Sequence, residues 1–289
     1  MNINYDDFDL NNDNEIENKN DSIPPLFKYT TVYRAKELLF DNIMYLPEIS
    51  ELNDPFEGEL LYNKNIMENA YYKFRCKEYH EKFREKFLND SDIDIKDLDG
   101  LFKTLWEYRF NEYFKGLKEY LQEGIYLICL SKSKNINSLW AHYANNHDGI
   151  CIEYDVNECN NILKDFCFPI EYVDESDYTL DLKSHVRENN LDLNLLLKPF
   201  LRKSKEWGYE KEWRIILNEN MIKNKSGYYP YKPYIKFIPP KKVYMGFKIS
   251  SKNEKLIKEI CRIKDIPLAK AEKCPDKYDF EFLDVDVNE

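Results

Sequence analysis

Short runs of β-branched and apolar residues alternate with longer segments of helical period, and that pattern predicts the elements. Residues 125–130 (IYLICL) and 149–154 (GICIEY) read as two buried strands. They bracket a polar, aromatic-rich connection, which reads as a loop entering a short helix. Asn137 or Ser138 is its expected N-cap, and Trp140, Tyr143 and Ala144 share one face.

Upstream, residues 26–30 read as a strand, 34–41 as one helix with Ala35, Leu38 and Leu39 as its apolar face, and 43–46 as a second strand. Asn53-Asp54-Pro55 is a turn signal, with Phe56 expected to tuck beneath it. Residues 65–86 and 97–121 are helical, the second carrying Leu101, Leu105, Tyr108, Tyr113, Leu117 and Leu121 as its apparent apolar stripe. The Glu and Lys residues between them read as a solvated face.

Downstream, residues 168–174 (FPIEYVD) read as a strand, 180–201 as helix broken near Asn189-Asn190, and 213–217 as a strand. An extended segment at 228–235, a strand at 241–247, an amphipathic helix at 252–264 and closing strands at 267–270 and 278–282 follow. Helices interleaved with short strands predict an α+β fold of mixed and antiparallel strands around a central cleft. One domain is expected over residues 25–289, with a helical insertion at 65–121, preceded by a disordered acidic arm at 1–24 that ends at Pro24-Pro25.

Composition narrows the function classes. The net charge of −11 argues against non-specific nucleic-acid or anionic-membrane binding. Glycine is scarce, with 8 residues, and neither GxGxxG nor GxxxxGK[ST] occurs, which removes Gly-rich phosphate loops. No apolar run is long enough to span a bilayer, and the acidic start is unlike a signal peptide. The seven cysteines include no CxxC pair, which reads as reduced thiols in the cytoplasm.

Three kinds of chemistry can be weighed. His142 and His147 lie five apart, so a regular helix does not pair them. With no HExxH and no zinc-type cysteine spacing, no metal site is assigned. Cys129 or Ser131 as nucleophile with His142 as base can be written, but no spacing selects it, and Cys129 sits in an apolar strand. The third is Glu210-Lys211-Glu212-Trp213-Arg214 after Trp207 and Tyr209. If the strand reaches back, Glu210, Glu212 and Arg214 share one face. Two readings stay open: a structural strand whose Arg pairs with a Glu, and a carboxylate at the mouth of a cleft with aromatic walls from Trp207 or Trp140.

Four blocks together resemble one widespread bacterial family, DUF2971. They are Phe27-Lys28-Tyr29 with Leu46-Pro47 and Asn53-Asp54-Pro55-Phe56-Glu57; Cys129-Leu130-Ser131 with the WAHYANNHDG run and Cys151–Tyr154; Trp207–Arg214; and the strand at 239–246 with the helix after it. The likeness extends from about Phe27 to Phe282; Thr30 departs from a common Arg, and the helical insertion is long. The family name implies no established activity.

The order of elements is also similar to the layout of mono-ADP-ribosyltransferases. That likeness implies NAD as substrate, a late glutamate that stabilises a developing oxocarbenium, and a setting in phage defence or toxicity. A first-strand His or Arg is absent, so Lys28, Tyr29 or Arg34 would serve. On these resemblances the expected catalytic residues are Glu212, Glu210 and His142. Tyr29, Asn53, Asp54, Glu57, Ser131, Trp140, Tyr143, His147, Trp207 and Arg214 are expected to bind substrate. The expected partner is a small nucleotide. The alternatives are a non-catalytic sensor or interaction module with a nucleotide or peptide pocket, and a metal-dependent hydrolase or nuclease using His142 and His147.

Overall fold

The computed structural model describes residues 22–87, 95–158, 162–174, 179–188, 193–219, 222 and 234–288. The acidic arm up to residue 21, the break at Asn189-Asn190 and the extended segment at 228–233 lie outside the described residues. The strands are β1 (Leu26–Thr30), β2 (Ile43–Tyr45), β3 (Ile125–Ser131), β4 (Ile150–Tyr154), β5 (Cys167–Pro169) and β6 (Glu171–Val173). They continue with β7 (Arg202–Ser204), β8 (Glu212–Asn218), β9 (Tyr234–Lys236), β10 (Lys242–Met245), β11 (Leu268–Lys273) and β12 (Phe280–Asp284). The α-helices are α1 (Lys64–Tyr71), α2 (Lys77–Phe87), α3 (Ile95–Gln122), α4 (Asn137–His142), α5 (Ile162–Asp165), α6 (Lys183–Glu188), α7 (Leu193–Leu201) and α8 (Ser251–Lys264).

Eight strands form one sheet in the order β12-β11-β10-β4-β1-β3-β8-β5. All its pairs are antiparallel except β10 with β11. The fold is therefore α+β with a mixed sheet. β2 pairs with β9 and β6 with β7 in separate two-stranded ribbons.

Cross-strand partners share a face, and that fixes the architecture. One face carries Leu26, Ile128, Leu130, Ile152, Val243 and Ile215, covered by α8 through Ile257, Ile260 and Cys261. On the opposite face are two apolar clusters. Leu127 and Ile216 join the helical unit of α1, α3, α6 and α7. Phe27, Tyr29, Cys151 and Tyr244 pack under α4 through Leu139 and Trp140. The registers Phe27↔Ser131, Ser131↔Glu212 and Cys129↔Arg214 set Glu212 and Arg214 on this same face, between the two clusters. Ile150 and Ile152 in central β4 are fully buried; each contributes about 1.5–3 kcal/mol of burial.

Several expectations need correction. Residues 32–40 form a 3-10 turn (Val32–Arg34) and a π-helical turn (Lys36–Phe40) rather than one α-helix, although Ala35, Leu38 and Leu39 are its buried face. The stripe on α3 is rotated: Leu101, Leu105 and Tyr108 are exposed, while Phe110, Phe114, Leu117 and Leu121 are buried. Aromatic residues and leucines occur on more than one side of that helix, so a period alone does not choose the inner side. The 168–174 run splits at Ile170, whose N–H turns to the Glu212 carbonyl (3.0 Å), into β5 and β6 of different sheets. The N-cap of α4 is Ile136, one residue before the expected caps, with no side-chain cap bond. Phe56 is 58% exposed rather than tucked under its turn.

Candidate functional site

Five buried charged side chains meet in the seam between the two clusters: Glu57, Lys203, Glu210, Glu212 and Arg214. Each arrives from a locally explicable element. In the turn at 54–58, Asp54 Oδ1 accepts from Phe56 N (2.9 Å) and Glu57 N donates to the Asp54 carbonyl (3.1 Å). Gly58 follows at φ +67°, where a Cβ would lie 3.0 Å from Ile49 Cγ2 and 3.1 Å from Phe200. Glycine there lets the turn close and carry Glu57 inward.

Lys203 lies in β7. Ser204 caps the 3-10 helix Lys205–Glu210, its side chain accepting from Glu206 N. Lys211 then adopts a left-handed conformation (φ 48°) before β8 starts at Glu212. The Lys211 carbonyl takes the Lys132 N–H (2.9 Å), and Ser131 Oγ donates to the Glu210 carbonyl (2.7 Å). That bend, rather than strand parity, brings the two carboxylates to the same lysine.

Arg214 uses all five of its N–H donors. Nε and Nη2 donate to Glu212 (2.7 and 3.1 Å), Nη1 and Nη2 donate to Glu57 (both 2.6 Å), and Nη1 also donates to the Phe200 carbonyl (2.8 Å). Lys203 Nζ faces Glu210 (2.8 Å), Glu212 (3.1 Å) and Glu57 (3.3 Å), and lies 4.7 Å from the centre of the Trp207 ring. The Glu212 N–H donates to the Tyr172 hydroxyl (2.7 Å). From Glu210 a chain leads outward: Tyr143 OH donates to its Oε1 (3.2 Å), and Asn53 Nδ2 donates to Tyr143 OH (2.9 Å). Asn53 is exposed, as are Tyr143 and Tyr209.

The electrostatics follow from this packing. Burial alone would raise the Glu212 acid, but the Arg214 charge and hydrogen bonds, with Lys203, hold it down to about 2. Burial works against the Lys203 ammonium, yet Glu212, Glu57 and Glu210 outweigh it and raise its pKa. Arg214 is likewise locked in its charged form by Glu212 and Glu57 against the cost of burial. Burial and then the Glu212 charge push the Cys129 thiol up to about 12, so it is no nucleophile at neutral pH. Beside it, Lys28 Nζ donates to the Cys129 carbonyl (2.9 Å), and burial lowers its pKa.

Of the residues singled out from the sequence, Asn53, Glu57, Ser131, Tyr143, Glu210, Glu212 and Arg214 meet here, with Trp207 against Lys203. Asp54 shapes the turn. Tyr29 and Trp140 sit apart in the core under α4, ring centres 5.3 Å apart, with Trp140 fully buried and presenting no face to a ligand. His147 stacks on Trp140 (6.3 Å) and packs on Phe280 (5.5 Å), while His142 is exposed beside Tyr143. Among the described residues, no group of three or more His, Cys, Asp or Glu is arranged to hold a metal ion.

Lys203 is the member that sequence reasoning missed. In a run reading Lys-Ser-Lys-Glu it looks like a solvated lysine, and only the neighbouring carboxylates, distant in sequence or across a bend, reveal otherwise.

No curated protein and no solved structure matches the chain. A family model does: DUF2971, described as a protein of unknown function, matches residues 139–215. The matched segment holds Tyr143, Lys203, Glu210, Glu212 and Arg214, and leaves Glu57 outside. That segment, which supplies four of the five buried charges, is the part of the chain that is similar to the family DUF2971.

Proposed function

We propose that the chain binds an NAD-type nucleotide over Glu210 and acts at its nicotinamide–ribose bond, by ADP-ribosyl transfer or hydrolysis. The observation that carries this reading is the path from exposed Asn53 and Tyr143 to buried Glu210. The Tyr143–Glu210 bond, at 3.2 Å, is long for an O–H donor. A ribose hydroxyl entering there would compete with Tyr143 for the carboxylate.

In this reading Glu210 is the carboxylate that meets the substrate. As the C1′–N bond breaks, its electron pair leaves with nicotinamide, and positive charge develops on the ribose. A carboxylate fixed in a low-dielectric seam stabilises that charge. Water or an acceptor nucleophile then adds at C1′ and loses its proton. Tyr143 and Tyr209 offer ring faces, and His142, exposed beside Tyr143, is the group that would meet the phosphates.

Glu212 takes a different role from the one expected on resemblance. Both its oxygens are held by Arg214 and Lys203, so with Glu57 it positions Glu210 through the shared lysine. Arg214 has no N–H left for a phosphate.

A second reading is recognition without chemistry. The complete pairing of Glu212 and Arg214 favours it, since a saturated network holds shape without reacting. The test is a thermal shift with NAD followed by a nicotinamide-release assay. Stabilisation with release that Glu210→Gln abolishes supports the transfer reading. Stabilisation without release supports recognition alone, and no stabilisation by NAD removes the nucleotide.

A further inference from the structure

A second charged group is held in an unusual way, apart from the Glu210 network. Lys134 Nζ lies 5.7 Å from the ring centre of Phe27, 5.2 Å from Tyr244 and 5.7 Å from Phe282. The three rings come from β1, β10 and β12 and pack on one another, Phe27 against Tyr244 at 6.2 Å and Tyr244 against Phe282 at 5.1 Å. Phe27 and Tyr244 are buried. Among the described residues the Lys134 ammonium has no carboxylate and no hydrogen-bond acceptor as partner; its neighbours are aromatic faces. The Tyr244 hydroxyl donates to Glu153 Oε2 (2.5 Å), which enriches that ring in electrons, and Lys242 Nζ also lies over it (5.6 Å).

Rings grouped around one cation are the arrangement that recognises ammonium groups through the aromatic quadrupole. An ammonium that needs acceptors for its three N–H bonds is poorly matched to such walls. A methylated one needs none and contacts the rings through its methyl groups. We propose that Phe27, Tyr244 and Phe282 form a recognition site for a methylated or quaternary ammonium group, which Lys134 fills as its resident ligand in this structure.

The resident lysine also anchors the loop it stands on. The Lys134 carbonyl accepts Trp140 Nε1 (2.8 Å), and the adjacent Ser133 carbonyl accepts Tyr29 OH (2.8 Å). Occupancy of the cage is thereby tied to the seating of α4. This inference goes beyond the nucleotide reading and uses none of its ligand-facing residues.

The test is chemical complementation. Lys134→Ala opens the cage, and its melting temperature is measured with tetramethylammonium or with tert-butyl alcohol, a neutral group of similar shape. The expected result is recovery of stability by the cation alone. Binding should be at least tenfold tighter than to the unaltered protein, and should weaken tenfold again when Phe282→Leu is added. Equal recovery with both probes, or with neither, overturns the proposal. Should Lys134→Ala not fold, Lys134→Met and Lys134→Arg decide: melting should fall for Met and hold for Arg. A Met variant as stable as the Arg variant also overturns it.

Discussion

Lys203 holds three carboxylates with one ammonium, and Arg214 spends every donor on two of them and a carbonyl. Removing one partner of a buried ion pair leaves the others uncompensated, which costs about 3–5 kcal/mol. Lys203→Met and Glu212→Gln should each lose stability on that scale, read as a drop in the urea midpoint. Tyr143→Phe deletes two hydrogen bonds, one to Glu210 and one from Asn53, at a partly exposed position and should cost about 1–3 kcal/mol, while weakening any ligand that competes for Glu210.

The depressed Glu212 acid gives a pH dependence with a definite sign. Its folded-state pKa is about 2, below the ordinary 4.5. Its contribution is therefore complete above the ordinary carboxylate value and is lost as pH falls from there toward 2. Unfolding free energies measured from pH 6 to pH 3 should decline, and the decline should be shallower in Glu212→Gln. At this scale the sequence showed Glu210, Glu212 and Arg214 as a unit because they lie within five residues. It hid Lys203 and the purpose of Glu57, whose partners are 157 positions away in Arg214 and across a bend.

Elements are placed by a few backbone constraints. Asn145, Asn146 and His147 are successive left-handed residues between α4 and β4. The loop they form is covered by Gly246, where a Cβ would lie 2.2 Å from the His147 carbonyl oxygen. Gly246→Ala forces that backbone apart and should cost more than about 2 kcal/mol, visible as a lower melting temperature. Asp148, at the end of the loop, accepts from Ser250 N (2.6 Å) and Asn253 Nδ2 (3.0 Å), so the same turn also seats the start of α8. Strands β1, β3 and β4 were legible because short runs of apolar, aromatic and β-branched residues bounded by polar or turn residues have few other uses. The orientation of α3 was not, because Phe, Tyr, Trp and Leu occur all round it. Nor were the π-helical turn at Lys36–Phe40 and the break at Ile170, where a tertiary hydrogen bond to the Glu212 carbonyl overrides local preference.

For the whole molecule, the sheet is the frame and the charged seam joins its two covering clusters. β4 and β1 lie inside the sheet, paired on both edges, whereas β12 is an edge strand with exposed Glu281, Leu283 and Asp284. Hydrogen exchange should follow that order: amides of Ile150–Tyr154 should exchange only through global unfolding, and those of β12 through local fraying. Equal rates in the two strands would contradict the topology. Among the described residues no helix is long and apolar enough to cross a membrane.

Glu210, not Glu212, is the carboxylate proposed to face the ligand of a nucleotide site. The most direct measurement is calorimetric titration of NAD into the unaltered protein, Glu210→Gln and Glu212→Gln, each checked for folding by circular dichroism. The unaltered protein should bind NAD, and Glu210→Gln should bind at least tenfold more weakly at a temperature where circular dichroism shows it still folded. Glu212→Gln should show its main effect as lower stability. Equal affinity in the unaltered protein and Glu210→Gln, or no binding of NAD to either, would contradict that assignment.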